Sequence, residues 1–215
     1  MKMIFSSFKS LSRSVHQEHE EAETKTDGTI SSLTVWRKSL ILSCKGFTVI
    51  NSNGDLIYRV DSYAGRPEEL LLMDGLGKSV LTVRRRKKLG VLLDSWFVYE
   101  GGDTGHCCAT NQVSSNPTWH VTKHNNLLKP NQKALAHVFR GRSERGHCYV
   151  IEGSYTHRSC KILDGSRKEV AEIKRKEASI NGVSFGLEVF LLVLEPCFDP
   201  GFAMALVLIL DQMFS

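Results

Sequence analysis

Residues Asp199–Ser215 read DPGFAMALVLILDQMFS, and the apolar run from Phe202 to Leu210 is unbroken. Asp199 can cap a helix, Pro200 suits its first position, and Gly201 follows. A helix from Pro200 to Gln212 would be roughly 20 Å long. Crossing a bilayer takes about 20 apolar residues, more than this run supplies. The apolar run LEVFLLVLEP (Leu187–Pro196) cannot extend it, because Glu195, Pro196, Asp199 and Pro200 intervene. An Asp at mid-bilayer would cost about 2.5–3.5 kcal/mol. A helix that is apolar all round and too short to span belongs inside protein. The rest of the chain must therefore build a shell wide enough to hold a helix about 10–12 Å across.

The preceding sequence supplies strands. FTVINSNGDLIYRVDSY (Phe47–Tyr63) is two β-rich runs around Asn53-Gly54, a hairpin signal. LLLMDGLGKSVLTVRRR (Leu70–Arg86) repeats the plan around Asp74–Gly77, and CKILDGSRKEVAEIKRK (Cys160–Lys176) around Asp164-Gly165. Further strand-like runs are DSWFVYEGG from Asp94, TWHVTKH from Thr118, KALAHVFRG from Lys133, HCYVIEG from His147 and LEVFLLVLEP. Many short strands with no helix between them predict an all-β sandwich or barrel. A closed antiparallel barrel around a central hydrophobic helix satisfies both observations.

The chain has 215 residues and a net charge of +5. Residues 1–32 carry Lys2, Lys9, Arg13 and Lys25 against Glu18, Glu20, Glu21, Glu23 and Asp27. The excess positive charge therefore lies in the remainder, which favours acidic partners such as phospholipid headgroups or nucleic acid. The N-terminal stretch has Ile4, Phe8, Leu11 and Val15 at helical spacing, with Phe5 beside them. It has three readings: a flexible tail, an amphipathic membrane-surface or docking helix, and an organelle transit peptide. EHEEAETKTDGTISS (Glu18–Ser32) reads as a solvated linker. The domain is placed at residues 33–215, with its central helix at about 200–212, after an extension at 1–32. The six cysteines are too irregular for a disulfide scaffold, and no glycosylation acceptor occurs, so an intracellular setting is expected.

The ordered combination of Phe47, Asn53-Gly54, Arg59-Val60-Asp61, Trp96 and the terminal Asp-x-x-Phe-x-Met-Ala run resembles the plant LURP-one-related family. The likeness runs from about Leu33 to Met213 and includes LTVWRKSLILSCKG, SWFVYEGG and FGLEVFLLVLEPCFDPGF. That family is similar in fold to the tubby C-terminal domain and the phospholipid scramblases. The resemblance implies a tubby-like barrel of about twelve antiparallel strands threaded by the C-terminal helix. It also implies a link to plant defence and, by way of tubby-like domains, binding of phosphoinositides and tethering to membranes. The chain departs from the scramblases in lacking a spanning C-terminal helix and a Cys-rich palmitoylation tract, which argues against lipid flipping.

The sharpest local feature is RRRKK, comprising Arg84, Arg85, Arg86, Lys87 and Lys88. Guanidinium groups can hold phosphate in a fork, and each cation near an anionic leaflet contributes about 1 kcal/mol. Lys174, Arg175 and Lys176 could extend such a patch, as could Lys161, Arg167 and Lys168. The competing reading is a solvated, edge-protecting strand end. Strand alternation also turns neighbours to opposite faces, so one or two of the five are expected inward or paired. A nucleic-acid site would interleave aromatics for stacking, and RRRKK contains none.

No chemistry-bearing motif stands beside it. His120-x₃-His124 has zinc-like spacing, but a strand need not put both on one side, and no cysteine pair matches. No nucleophile elbow, phosphate loop or dinucleotide fingerprint is present. Neither metal nor cofactor is expected. The expectation is a non-enzymatic binding module, cytoplasmic with peripheral membrane or nuclear association, whose partner is an anionic membrane lipid or a protein. The alternatives are a nuclear or nucleic-acid-associated regulator and a lipid-handling protein or enzyme. LEVFLLVLEP adds an expectation of its own. Leu187, Val189, Leu191 and Val193 share one face and Phe190, Leu192 and Leu194 the other with Glu188, so the outer face is either covered by the Ile4/Phe5/Phe8/Leu11 stripe or by a partner, or is a small surface patch.

Overall fold

The computed structural model describes residues 31–42, 44–62, 68–87, 94–101, 116–124, 133–142, 145–177 and 185–214. Among them are twelve strands and one helix. The strands are β1 (Ser31–Trp36), β2 (Lys45–Ile50), β3 (Leu56–Ser62), β4 (Glu69–Asp74), β5 (Ser79–Arg86) and β6 (Ser95–Glu100), followed by β7 (Trp119–Lys123), β8 (Ala134–Arg140), β9 (Tyr149–Ser154), β10 (Ser159–Asp164), β11 (Glu169–Arg175) and β12 (Val189–Leu194). The helix is α1 (Pro200–Phe214). Each strand pairs antiparallel with the next, and β12 returns to β1 with Ser31 opposite Leu194 and Trp36 opposite Val189. Closure leaves no sheet edge to protect. The first strand begins at Ser31, two residues before the expected Leu33.

Inward positions alternate along every strand, as a two-residue period requires. Val35, Val49, Val83, Val98, Val121, Val138, Ile173 and Leu192 are fully buried against the helix. The helix itself is buried from Gly201 through Leu210 and again at Met213. Its all-round apolarity is thus matched by an all-round apolar lining. Asp199 caps it, accepting a hydrogen bond from Phe202 N at 2.6 Å.

Because the strands form a meander, alternate connections share an end. The lower rim carries the N-terminus of α1 and the tight turns 51–55, 74–78 and 164–168. In the first two, an Asn or Asp side chain accepts two backbone N–H bonds and Gly54 or Gly77 takes a positive φ of 89° or 88°. The third has the same hydrogen bonds, but the positive-φ position holds Arg167 and not Gly165. The turn was legible in the sequence; the residue taking the strained position was not.

The upper rim carries the C-terminus of α1, the ends of the odd-numbered strands and the starts of the even-numbered ones. The last helical turn has no basic residue of its own. Lys123 at the end of β7 and Arg37 just past β1 supply that charge. Lys123 Nζ donates to the Met213 carbonyl at 3.2 Å, and Arg37 Nε pairs with Asp211 at 2.8 Å. Cations placed there complement the negative end of the helix dipole. Trp96 Nε1 also donates to Gln212 Oε1 at 2.7 Å.

β12 is apolar on both faces as expected. Phe190, Leu192 and Leu194 are fully buried inward, while Val189, Leu191 and Val193 are half-buried outward. The Ile4/Phe5/Phe8/Leu11 stripe lies outside the described residues.

A candidate anion-binding rim

Both basic runs reach the upper rim, but on opposite sides of it. β5 and β11 are six strands apart in either direction around the twelve. They therefore cannot merge into one patch on the barrel wall. Within RRRKK, register and neighbours divide the charges. Arg85 shares its parity with Leu81 and Val83, turns inward, pairs with Asp94 and lies over the Trp96 ring at 5.5 Å. Arg84 points outward to Glu69 at 2.8 Å and covers the Tyr99 ring. Lys87 approaches Glu68 at 3.5 Å. Arg86 has no carboxylate partner among the described residues and lies over Phe97 at 5.4 Å. Lys88 lies outside the described residues.

The other run is divided in the same way. Lys174 pairs with Glu172 at 3.2 Å, Arg175 donates to the His157 carbonyl at 3.1 Å, and Lys176 donates to Thr34 Oγ1 at 3.0 Å. Lys161 and Arg167 are engaged by Glu169 and Glu152, and Lys168 lies 3.7 Å from Glu195.

Three further basic residues define the rim beside the C-terminus of α1. Arg37, Lys38 and Lys45 line a cleft of about 460 Å³ floored by Phe47, Val60 and Leu70 and closed by Asp211 and Gln212. The Asp211 carboxylate is not an open negative charge. Arg37 binds it through Nε, and Tyr155 donates to it at 3.1 Å. Burial, reinforced by that carboxylate, pushes the Tyr155 phenol well above its ordinary value, so it remains a donor. Arg158 lies against the Tyr155 and Phe190 rings at 4.2 and 4.6 Å and donates to the Leu187 and Tyr155 carbonyls. With Asp211 matched, Lys38 and Lys45 are exposed cations without a carboxylate partner among the described residues. Sequence reasoning passed over both, because single lysines scattered around an apolar segment give no local signal. Only closure of β1 against β2 brings them to one cleft.

The loop between β1 and β2 that carries Lys38 is pinned. Ser39 Oγ donates to the buried Asp61 carboxylate and accepts from Ile41 N at 3.0 Å. Arg59 binds the same carboxylate at 2.6 and 2.8 Å. Thr48 Oγ1 donates to the Lys38 carbonyl at 2.8 Å. The Arg59-Val60-Asp61 motif thus holds the loop that shapes the cleft.

The described histidines fall into separate ring contacts. His120 is buried, stacked on Phe97 with ring centroids 4.6 Å apart, while His124 bonds His137 at 3.0 Å. Among the described residues no group of three His, Cys, Asp or Glu side chains is arranged to hold an ion. Burial pushes the Cys160 thiol up to about 12, the opposite of an activated nucleophile. Among the described residues no helix is long and apolar enough to cross a membrane. The arrangement offers exposed cations beside an apolar-floored cleft, which can hold an anion or an amphiphile.

A closed barrel filled by its own C-terminal helix, with a basic cleft at one rim, defines a class of closed β-barrel proteins. The LURP-one-related family matches residues 31–211, and the chain belongs to that family. It is 49% identical to Protein LURP-one-related 17 of Arabidopsis thaliana, over 99% of this chain and 100% of that protein. It is 45% identical to Protein LURP-one-related 8 of the same plant, over 85% of this chain and 86% of that one. An Arabidopsis thaliana protein solved by X-ray crystallography shares the fold, with a TM-score of 0.60 at 24% identity, covering 87% of this chain and 93% of that one.

Proposed function

We propose that this chain is a non-enzymatic, tubby-like tethering module whose upper rim binds the phosphates of anionic phospholipids at an intracellular membrane. The observation that carries the reading is the pair of exposed lysines, Lys38 and Lys45, lining a cleft with an apolar floor. A cation with a carboxylate beside it presents little net charge to a new partner. Unpaired ones beside a low-dielectric wall attract phosphate more strongly. Family membership supports a setting in plant defence signalling. A nucleic-acid reading is less favoured, because the rings near the first basic run lie beneath Arg84, Arg85 and Arg86 and do not offer a free stacking face.

Vesicle flotation tests the reading, using phosphatidylcholine alone and phosphatidylcholine mixed with a phosphoinositide. The chain should float only with the anionic vesicles, and increasingly poorly as salt rises. Lys38→Glu with Lys45→Glu should abolish flotation, while replacing Arg84–Lys88 by Ala should weaken it only modestly. Failure of the native chain to float with either vesicle would sink the reading.

A further inference from the structure

We infer that the loop between β1 and β2 is an apolar wedge, and that Leu40 and Leu42 enter the acyl boundary of an anionic bilayer while Trp36, Phe185 and Leu187 rest at its interface. This inference rests on the anionic-lipid reading above.

The distribution of exposed apolar side chains is the first argument. Six large ones are exposed among the described residues: Trp36, Leu40, Leu42, Leu76, Phe185 and Leu187. Five lie at the upper rim, and Leu76 alone belongs to a lower-rim turn. Leu42 is 92% exposed and Leu40 53%. Trp36 ends β1 opposite Val189, and Arg37 N donates to the Glu188 carbonyl at 2.8 Å. That pairing sets Leu187 and Phe185 beside the loop. The five therefore share one edge of one rim. Single exposed leucines are ordinary, whereas a shared apolar edge marks an interaction surface.

The second argument is order. A loop that merely failed to bury its leucines would gain by folding them back. This one is held out by the Ser39–Asp61–Arg59 cluster beneath it, by Thr48 on the Lys38 carbonyl and by Cys44 N on the Ile41 carbonyl at 3.2 Å. A hydrogen-bond network centred on the buried Ser39–Asp61 pair thus maintains the exposure of Leu40 and Leu42. A surface prepared in advance loses less entropy on docking.

The third argument is charge, which selects the partner. Lys38 lies over Trp36 at 5.2 Å, and Lys176 lies over Phe185 at 5.4 Å. Lys45 stands free at the cleft. Leucines flanked by an aromatic and by lysines suit a bilayer interface. Leu enters the acyl region, the indole takes the headgroup level, and ammonium groups meet phosphates. A protein interface core, by contrast, is depleted of lysine.

The test compares native protein, Leu40→Ser with Leu42→Ser, and Leu76→Ser as the lower-rim control. The double variant should bind vesicles of phosphatidylcholine and phosphatidylserine about tenfold to a hundredfold more weakly, with circular dichroism and melting unchanged. Leu76→Ser should bind like the native chain. Brominated acyl chains should quench tryptophan fluorescence in the native chain but not in Trp36→Phe, because Trp96 is buried and the half-buried Trp119 starts β7 at the lower rim. If native protein binds no anionic vesicle, both the wedge and the lipid reading fail. If native protein binds and the double variant binds equally, the wedge fails and the lipid reading stands. A dimer in solution that Leu42→Ser dissolves would assign the edge to self-association and overturn the wedge.

Discussion

Ser39 and Asp61 meet across twenty-two positions of sequence, the hydroxyl donating to a carboxylate fully shielded from water. Arg59 supplies the matching charge from the same strand as Asp61. Replacing the acid leaves the guanidinium without its anion and the hydroxyl without its acceptor. Asp61→Ala should therefore lower stability by about 2–3 kcal/mol, as for charge-assisted hydrogen bonds. Urea unfolding gives the value. Faster hydrogen exchange at Ile41 and Cys44 in Asp61→Ala would show that the cluster orders the loop; unchanged exchange there would show that it does not.

The lower-rim turns make a conformational prediction with an internal control. A Cβ at either Gly77 or Gly165 would meet nothing within 4 Å, so steric contact does not distinguish them. Backbone conformation does, since Gly77 has a φ of +88° and the positive position of the other turn belongs to Arg167. Gly77→Ala should cost about 1–2 kcal/mol in urea unfolding. Gly165→Ala should be neutral or slightly stabilising, because it restricts the unfolded chain. Equal effects at the two sites would contradict the assignment of the turns.

These turns show what the sequence discloses and what it withholds. Asn53-Gly54 and Asp74–Gly77 are legible because the turn and its residues are local. So is α1, since Phe202–Leu210 leaves no stable place but an enclosed one. The functional rim was harder to read. The alternation of RRRKK foretells that one or two of its charges turn inward or pair, yet Glu69, Asp94 and Glu68 draw off three through pairings that only the β4–β5–β6 register creates. The segment holding Leu40 and Leu42 gives no pattern of its own. Its position depends on Asp61, and its importance on barrel closure beside β12. Long-range contacts of that kind have no trace in a local window.

The helix carries the core, so cutting into it should unfold the whole domain. Leu206 is completely buried at the middle of α1. Leu206→Ala should cost about 2–5 kcal/mol, the range for a core cavity. Leu206→Asp places a carboxylate in a lining of Val and Leu and should prevent folding altogether. Truncation after Asp199 should do the same. Collapse of the β-sheet circular dichroism together with loss of cooperative unfolding is the expected result. A truncated chain that keeps a cooperative transition would show that the barrel stands without its pillar.

His137, with the rings of His124 and His147 beside it, makes stability sensitive to pH on the acid side of neutrality. Burial first, then the neighbouring His124 and His147, hold the His137 pKa below its ordinary value of 6.5. Its ring lies 5.1 Å from that of His124 and 5.2 Å from that of His147. Above pH 6.5 both the folded and the unfolded states are neutral at this residue, and its contribution is constant. Below 6.5 the unfolded chain takes up the proton first, so folding is progressively disfavoured until the pH passes the depressed folded value. Melting temperature should therefore fall as pH drops below 6.5. His137→Gln, which cannot protonate, should flatten that slope while leaving the carboxylate-dependent loss at lower pH in place. A melting profile unchanged between native and His137→Gln across that window would show that this ring does not govern the acid transition.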